Sequence, residues 1–195
     1  MQLQRLEFWP NAPTRSVDGR PHWGEGRDTG PPVQKPLLTF TEPLQVRLGN
    51  LSSRNARLVV VVDPDRFHTY WLPGLPERVI EAMPSIIADG LVCHNPRHEP
   101  FSEEIKHTET GHLFEHVVLG YMLENDIYKG RSDVHLKATT SWNWDREPRG
   151  VFHLRFWGRD FRRVAFVSAV EQALALLNPL LAECQPLPFD LFDAA

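Results

Sequence analysis

The chain is poor in cysteine, with only Cys93 and Cys184 among 195 residues. Two cysteines so far apart, with no Cys-x-x-Cys spacing, exclude a disulfide framework and a cysteine zinc knuckle, and they fit a reducing cytoplasm. Positive charge is also scarce: 21 Lys and Arg against 25 Asp and Glu leave a formal charge of −4. Binding phosphates needs a basic face, so no nucleic-acid partner is expected. Uninterrupted apolar stretches fall short of the roughly 20 residues that a membrane span requires. Met1-Gln2-Leu3-Gln4-Arg5 likewise lacks the apolar core of a secretory signal. The expectation is therefore a cytoplasmic protein with no membrane partner, while a homo-oligomer or a partner enzyme stays open.

What the chain does hold is 42 % hydrophobic residues in a length that suits one domain. Pro10, Pro13, Pro21, Pro31, Pro32 and Pro36, with four glycines between them, defeat both helix and central strand. Residues 1–43 are read as an extended arm, whose Trp9, His22 and Trp23 are expected to pin it to the body, with lining of a ligand groove as the alternative. Alternation over Leu44 to Leu48 and the β-branched run Leu58 to Val62 predict two strands. Val79, Ile80, Met83, Ile86 and Ile87 recur at helical spacing within Glu77 to Asp89, a short helix bent at Pro84 and stopped by Gly90. Residues 93–107 read as a polar loop.

The next helix opens near residue 110, capped by Thr108 or Thr110, and is expected to be half-buried. Val134 to Trp144 and Val151 to Trp157 alternate as strands, with Glu147-Pro148-Arg149-Gly150 as the hairpin turn. A last helix runs from near Asp160 to about Leu177, with Phe161, Val164, Ala165, Val167, Ser168, Leu174 and Leu177 in its apolar stripe. Pro179 ends it, and residues 179–195 form a surface tail. The fold class is α+β: one domain over residues 44–178, a mostly antiparallel sheet with two to three packed helices, preceded by the arm.

The chemistry concentrates in Thr110-Gly111-His112-Leu113-Phe114-Glu115-His116. His-x-x-Glu-His on a helix stacks two imidazoles one turn apart, so His112 and His116 converge on one metal ion. Glu115, three after His112, stays within reach of a water on that ion as general base. This order is the inverzincin pattern, and zinc is the expected cofactor, although mixed His and carboxylate ligands also accept manganese or cobalt.

A catalytic zinc site takes three protein ligands plus water, so one ligand is missing. If the motif helix, the hairpin and the final helix alternate in direction, the carboxyl-terminal half of the final helix lies level with the motif. Glu171 sits in that half and is the expected third ligand, with His94, His98, Glu104 and His107 of the preceding loop in reserve. Such a site hydrolyses amides: the ion activates water, and Glu115 carries its proton to the leaving amine. Arg131, Arg155 and Lys137 are candidates to hold a substrate carboxylate or an oxyanion.

Leu75-Pro76, Ala82-Met83-Pro84-Ser85, Cys93 and Gly111-His112-Leu113-Phe114-Glu115-His116-Val117 follow one another in an order that resembles the amino-terminal domain of cyanophycin synthetase. The likeness continues through Gly130-Arg131 and Ala169-Val170-Glu171 and covers residues 44 to 178. It implies a metallopeptidase-like domain, which in some members of that family clips a polymer of aspartate and arginine into primers. It also implies zinc on His112 and His116, Glu115 as base and Glu171 completing the site. The 195 residues do not include the ATP-grasp and Mur-ligase-like domains of the synthetase, so no polymerising activity is expected of them. The strand around Trp142 and Trp144 and the proline-rich arm also depart from the family pattern. The expected function is zinc-dependent hydrolysis of peptide or isopeptide bonds in a peptide or polyamide substrate. The alternative is a non-catalytic module of the same fold that binds a polyamide or a protein.

Overall fold

A computed structural model describes residues 42–187 apart from 53, 88–92, 94, 96–98 and 126–127. The expected arm, with His94 and His98 and the end of the tail, lies outside the described residues. The two apolar runs of the amino-terminal half form β1 (Leu44–Ser52) and β2 (Asn55–Val62), paired antiparallel with Val46 opposite Val60. Helix α1 (Leu75–Ala82) follows, and Pro84 replaces its next turn with a tight 3-10 turn over Pro84–Ile87, as the bent periodicity predicts. The polar loop contains a single helical turn, α2 (Phe101–Glu104), which the sequence reading did not anticipate. Helix α3 (Thr110–Glu124), β3 (Lys137–Ser141), β4 (Val151–Trp157) and α4 (Arg163–Glu183) complete the order.

The sheet order is β1-β2-β4-β3, antiparallel throughout, so two hairpins lie side by side with the helical segment crossing between them. The class is α+β. Leu44, Leu48, Ala56, Leu58, Val60, Val62, Phe152, Leu154 and Phe156 point to one face and are buried there. Helices α3 and α4 pack on this face and on each other. Burying such side chains stabilises by about 1.5–3 kcal/mol each, which makes this layer the main source of stability.

Eleven of the fifteen residues of α3 are buried, so it is the central helix of the core rather than a half-buried one. Its start is tied to the segment before α1: Thr110 donates from its backbone to the Phe67 carbonyl at 2.8 Å, and His68 bridges Glu109. Neither threonine caps the helix. Glu109 occupies the cap position without a side-chain bond, while the Thr110 hydroxyl donates to the Arg66 carbonyl. Gly111 faces Phe152 so closely that a Cβ there would meet the ring at 2.4 Å, which fixes the approach of α3 to β4.

Several expected boundaries shift: β1 extends to Ser52, β2 begins at Asn55, and α4 begins at Arg163. Strand β3 is confined to Lys137–Ser141 because the backbone N–H of His135 donates to the Asp160 carboxylate at 2.9 Å instead of to a ladder. At its other end the chain turns at Asn143, and Trp144 Nε1 donates to the Val151 carbonyl at 3.2 Å. Helix α4 runs through Pro179 to Glu183, so the tail begins later than residue 179. Ala175 and Pro179 both lie on its exposed side, and the carbonyls of Leu181 and Cys184 accept from the Arg66 guanidinium. Burial of Leu177, Leu181 and Cys184 then holds the final turn. Val164 is 76 % exposed, outside the apolar stripe in which it was expected; Phe166, Ala169, Val170 and Ala173 take the buried side.

By length and composition α4 is apolar enough to cross a membrane, at mean hydropathy 1.6, although no unbroken apolar run reaches that length. Its buried side packs against α1, α3 and β1.

Candidate metal centre

The predicted triad stands on the first two turns of α3. His112 and His116 bring their rings to 4.9 Å between centroids, and Cys93 of the preceding loop joins them, with ligand atoms of all three within 4.8 Å of one another. Cys93 Sγ lies 3.6 Å from His112 Nε2. Zinc–sulfur and zinc–nitrogen bonds of about 2.3 and 2.0–2.1 Å at a tetrahedral angle separate the two ligand atoms by about 3.6 Å. The pair is therefore spaced for one ion.

Each imidazole is held by a different neighbour. His112 Nδ1 is 2.8 Å from the Thr108 hydroxyl, and with Nδ1–H donating to that oxygen the lone pair sits on Nε2, facing Cys93. Thr108 is itself fixed by Thr69, which donates to its carbonyl and accepts from its N–H. The His116 ring stacks flat on Phe101 of α2, 3.6 Å between centroids and 9° between planes. His116 is 3 % exposed, yet its Nδ1 has no hydrogen-bond partner. Burial pushes the His112 pKa down to about 4, and burial together with the neighbouring His112 pushes His116 well below its usual value. Both rings are neutral at pH 7, the form that ligates metal.

Glu115 is 5 % exposed, and burial raises its pKa to about 7, opposed by a hydrogen bond from the Thr140 hydroxyl of β3. Thr140 pairs with the inward-facing Leu154, which is why its side chain reaches α3. Burial also raises the Cys93 thiol, and the charges of Glu104 and Glu115 push in the same direction. The arrangement can hold a metal ion and has a carboxyl group of near-neutral pKa beside it.

The remaining expected site residues lie elsewhere. Glu171 is on the exposed side of α4, beside Arg163, Val164, Val167 and Ser168 in a shallow open hollow, and is not part of the ligand group. Arg131 is engaged by Asp133 and Asp160 at 3.2 and 3.1 Å, so it works as a tether rather than a substrate clamp. Arg155 sits over the Trp157 ring at 5.4 Å on the outer face of β4, opposite to the face that α3 covers. Lys137 pairs with Trp157 on that outer face too. Sequence reading missed Cys93, Thr108, Phe101 and Thr140. The signal for Cys93 was a thiol in a histidine-rich loop leading into the motif; the other three carry none.

The chain matches no protein-family model and no curated protein.

Proposed function

We propose that the chain is a zinc-dependent hydrolase of peptide or isopeptide bonds, with His112, His116 and Cys93 as ligands and Glu115 as general base. The observation that carries this reading is the convergence of the two motif imidazoles with Cys93, in which His116 also has a buried, unpartnered ring nitrogen, next to a carboxyl group that burial tunes toward neutrality. A buried histidine nitrogen without a partner is costly unless something occupies its lone pair or takes its proton. Zinc held there supplies Lewis acidity, making water a stronger acid and a carbonyl a stronger electrophile.

The protein groups do the rest. Glu115 accepts a proton from the attacking water and delivers it to the leaving amine, a role suited to a group whose pKa lies near the working pH. Thr140 orients that carboxylate, Thr108 sets the His112 tautomer, and Phe101 holds the His116 ring and excludes water from it. The likeness to the amino-terminal domain of cyanophycin synthetase makes an aspartate–arginine polyamide the first substrate to test. With Arg131 and Arg155 committed elsewhere, recognition of that substrate rests on other groups.

The test is metal analysis of untagged protein, followed by hydrolysis assays on the polyamide and on short peptides. Near-stoichiometric zinc that falls more than tenfold in affinity in His112→Ala and Cys93→Ala supports the site. Glu115→Gln is expected to keep the metal and lose at least a hundredfold in kcat. No metal above background, or full activity in Glu115→Gln, overturns the reading. Polyamide binding without turnover in the zinc-loaded wild type favours the non-catalytic module, for which the exposed Trp142, stacked on Trp144 at 5.6 Å, is the available surface.

A further inference from the structure

A second group of metal-ligating side chains lies in the segment that leads into α3. Glu99, Glu104 and His107 present ligand atoms within 4.8 Å of one another. His107 Nε2 is 3.0 Å from Glu99 Oε2 and 3.7 Å from Glu104 Oε2. Ligand atoms on one tetrahedral zinc, at bond lengths of about 2.0–2.2 Å, are separated by about 3.4 Å, between the two observed values.

The distinguishing feature is Glu104. It is 7 % exposed, and its Oε2 is buried without a hydrogen-bond partner; 3.7 Å to the imidazole is too long for one. A buried carboxylate oxygen left unbonded is strongly destabilising. A single protonated imidazole offers one positive charge to two carboxylates, whereas a divalent cation balances both and leaves the imidazole neutral.

The backbone holds these ligands in place. The buried Asn95 side chain accepts from the Glu99 N–H at 3.0 Å and donates to the Glu99 carbonyl at 2.7 Å. Glu104 is on α2, and the His107 N–H donates to the Glu104 carbonyl at 3.0 Å. Side-chain donors on a fixed backbone form a preorganised site rather than a chance surface cluster.

We propose that Glu99, Glu104 and His107 bind a second divalent transition-metal ion, zinc or one of similar preference, distinct from the ion at the α3 motif. One imidazole with two carboxylates favours such ions over calcium or magnesium, which take all-oxygen shells. The second ion braces the first site. Phe101, three residues before Glu104 on α2, stacks on His116, and Thr108, next to His107, orients His112. Clamping residues 99 to 107 therefore holds the two groups that position both motif imidazoles. The proposal does not depend on hydrolytic activity.

The experiment is a cobalt titration of the full untagged chain, read by visible absorption, with elemental analysis after dialysis. The motif site contains a thiolate and gives a sulfur-to-cobalt charge-transfer band; the second site has only nitrogen and oxygen donors and gives none. Wild type is expected to bind two equivalents, one carrying the band. Glu104→Gln and His107→Gln are each expected to bind one equivalent that carries the band, and Cys93→Ala one without it. Glu103→Gln, on an exposed neighbour paired with Lys106, keeps both. A folded Glu104→Gln and a folded His107→Gln that both retain the band-free equivalent overturn the proposal, as does a wild type that never binds one. Should either variant fail to fold by circular dichroism, anomalous density in a zinc-soaked wild-type crystal decides: a peak among Glu99, Glu104 and His107 supports the site, and none refutes it.

Discussion

The hydroxyl of Thr140, on an edge strand, donates to the carboxylate of Glu115, on the central helix of the core. This contact joins the sheet to the motif and opposes the rise in pKa that burial causes at Glu115, the proposed base. A hydrogen bond to the ionised form lowers a carboxyl pKa, so its removal raises it. In Thr140→Val the Glu115 pKa should rise above about 7, and the acidic limb of the kcat/KM profile should move to higher pH. Loss of the bond is also expected to destabilise the fold by about 1–3 kcal/mol. A pH profile unchanged in the variant would show that Glu115 is not the group whose ionisation limits the rate.

Metal-free protein should reveal Glu115 in its stability. The pKa of this buried group is raised from 4.5 to about 7 in the folded state. Its contribution is therefore fully present below the unfolded value and lost as pH rises through about 7. Glu115→Gln stays neutral, so its stability advantage over wild type should grow across this window to about 3 kcal/mol. Urea denaturation in chelator at a series of pH values measures it, and parallel curves for the two proteins would contradict the burial of the charge. Bound metal reverses the trend, because the cation favours the carboxylate.

Gly111→Ala should be disproportionately damaging for so small a change. The added methyl meets the Phe152 ring at 2.4 Å, and the ring is enclosed by Trp142 and Trp144. Overpacking of this kind destabilises by about 1–3 kcal/mol. Because His112 is the next residue, the zinc dissociation constant should rise as well. The companion Phe152→Leu should restore part of the stability in the double variant, as a cycle of four melts would show.

Asp160 is expected to contribute to acid stability. Its carboxylate accepts the His135 N–H at 2.9 Å and the Arg131 guanidinium at 3.1 Å. The His135 bond is the main cause of a pKa held below the ordinary 3.8, with Arg131 adding to it. A depressed folded pKa means stability that is present above the ordinary value and lost as pH falls through the folded one. Asp160→Asn should melt below wild type at pH 7, with the difference closing under acid conditions. A difference independent of pH would assign the loss to packing instead.

The motif was legible because its three residues lie within one and a half turns of a helix, where spacing alone dictates geometry. Three strands were legible from alternation and β2 from its continuous β-branched run, and β4 was placed without error because Phe152, Leu154 and Phe156 alternate along it. The proposed third ligand was not. Chain direction alone picked Glu171, in the carboxyl-terminal half of a helix expected to stop near Leu177. Helix α4 runs on to Glu183, which puts Glu171 before its midpoint, and which side faces inward depends on packing, with Ala169, Val170, Ala173 and Leu174 claiming the interior. Cys93 reaches the histidines through a loop whose path no periodicity reports. Pro179 misled for a related reason: its local preference to end a helix yields to the burial of Leu181 and to the Arg66 guanidinium, brought from 115 positions away in the sequence.

Because α3 is enclosed along most of its length, its imidazoles ride on the part of the molecule least prone to partial opening. An ion seated there would leave chiefly when the whole molecule melts. Extraction by a chelator and loss of the native state should consequently be linked events, and heating should release the metal in one step rather than as a gradual leak.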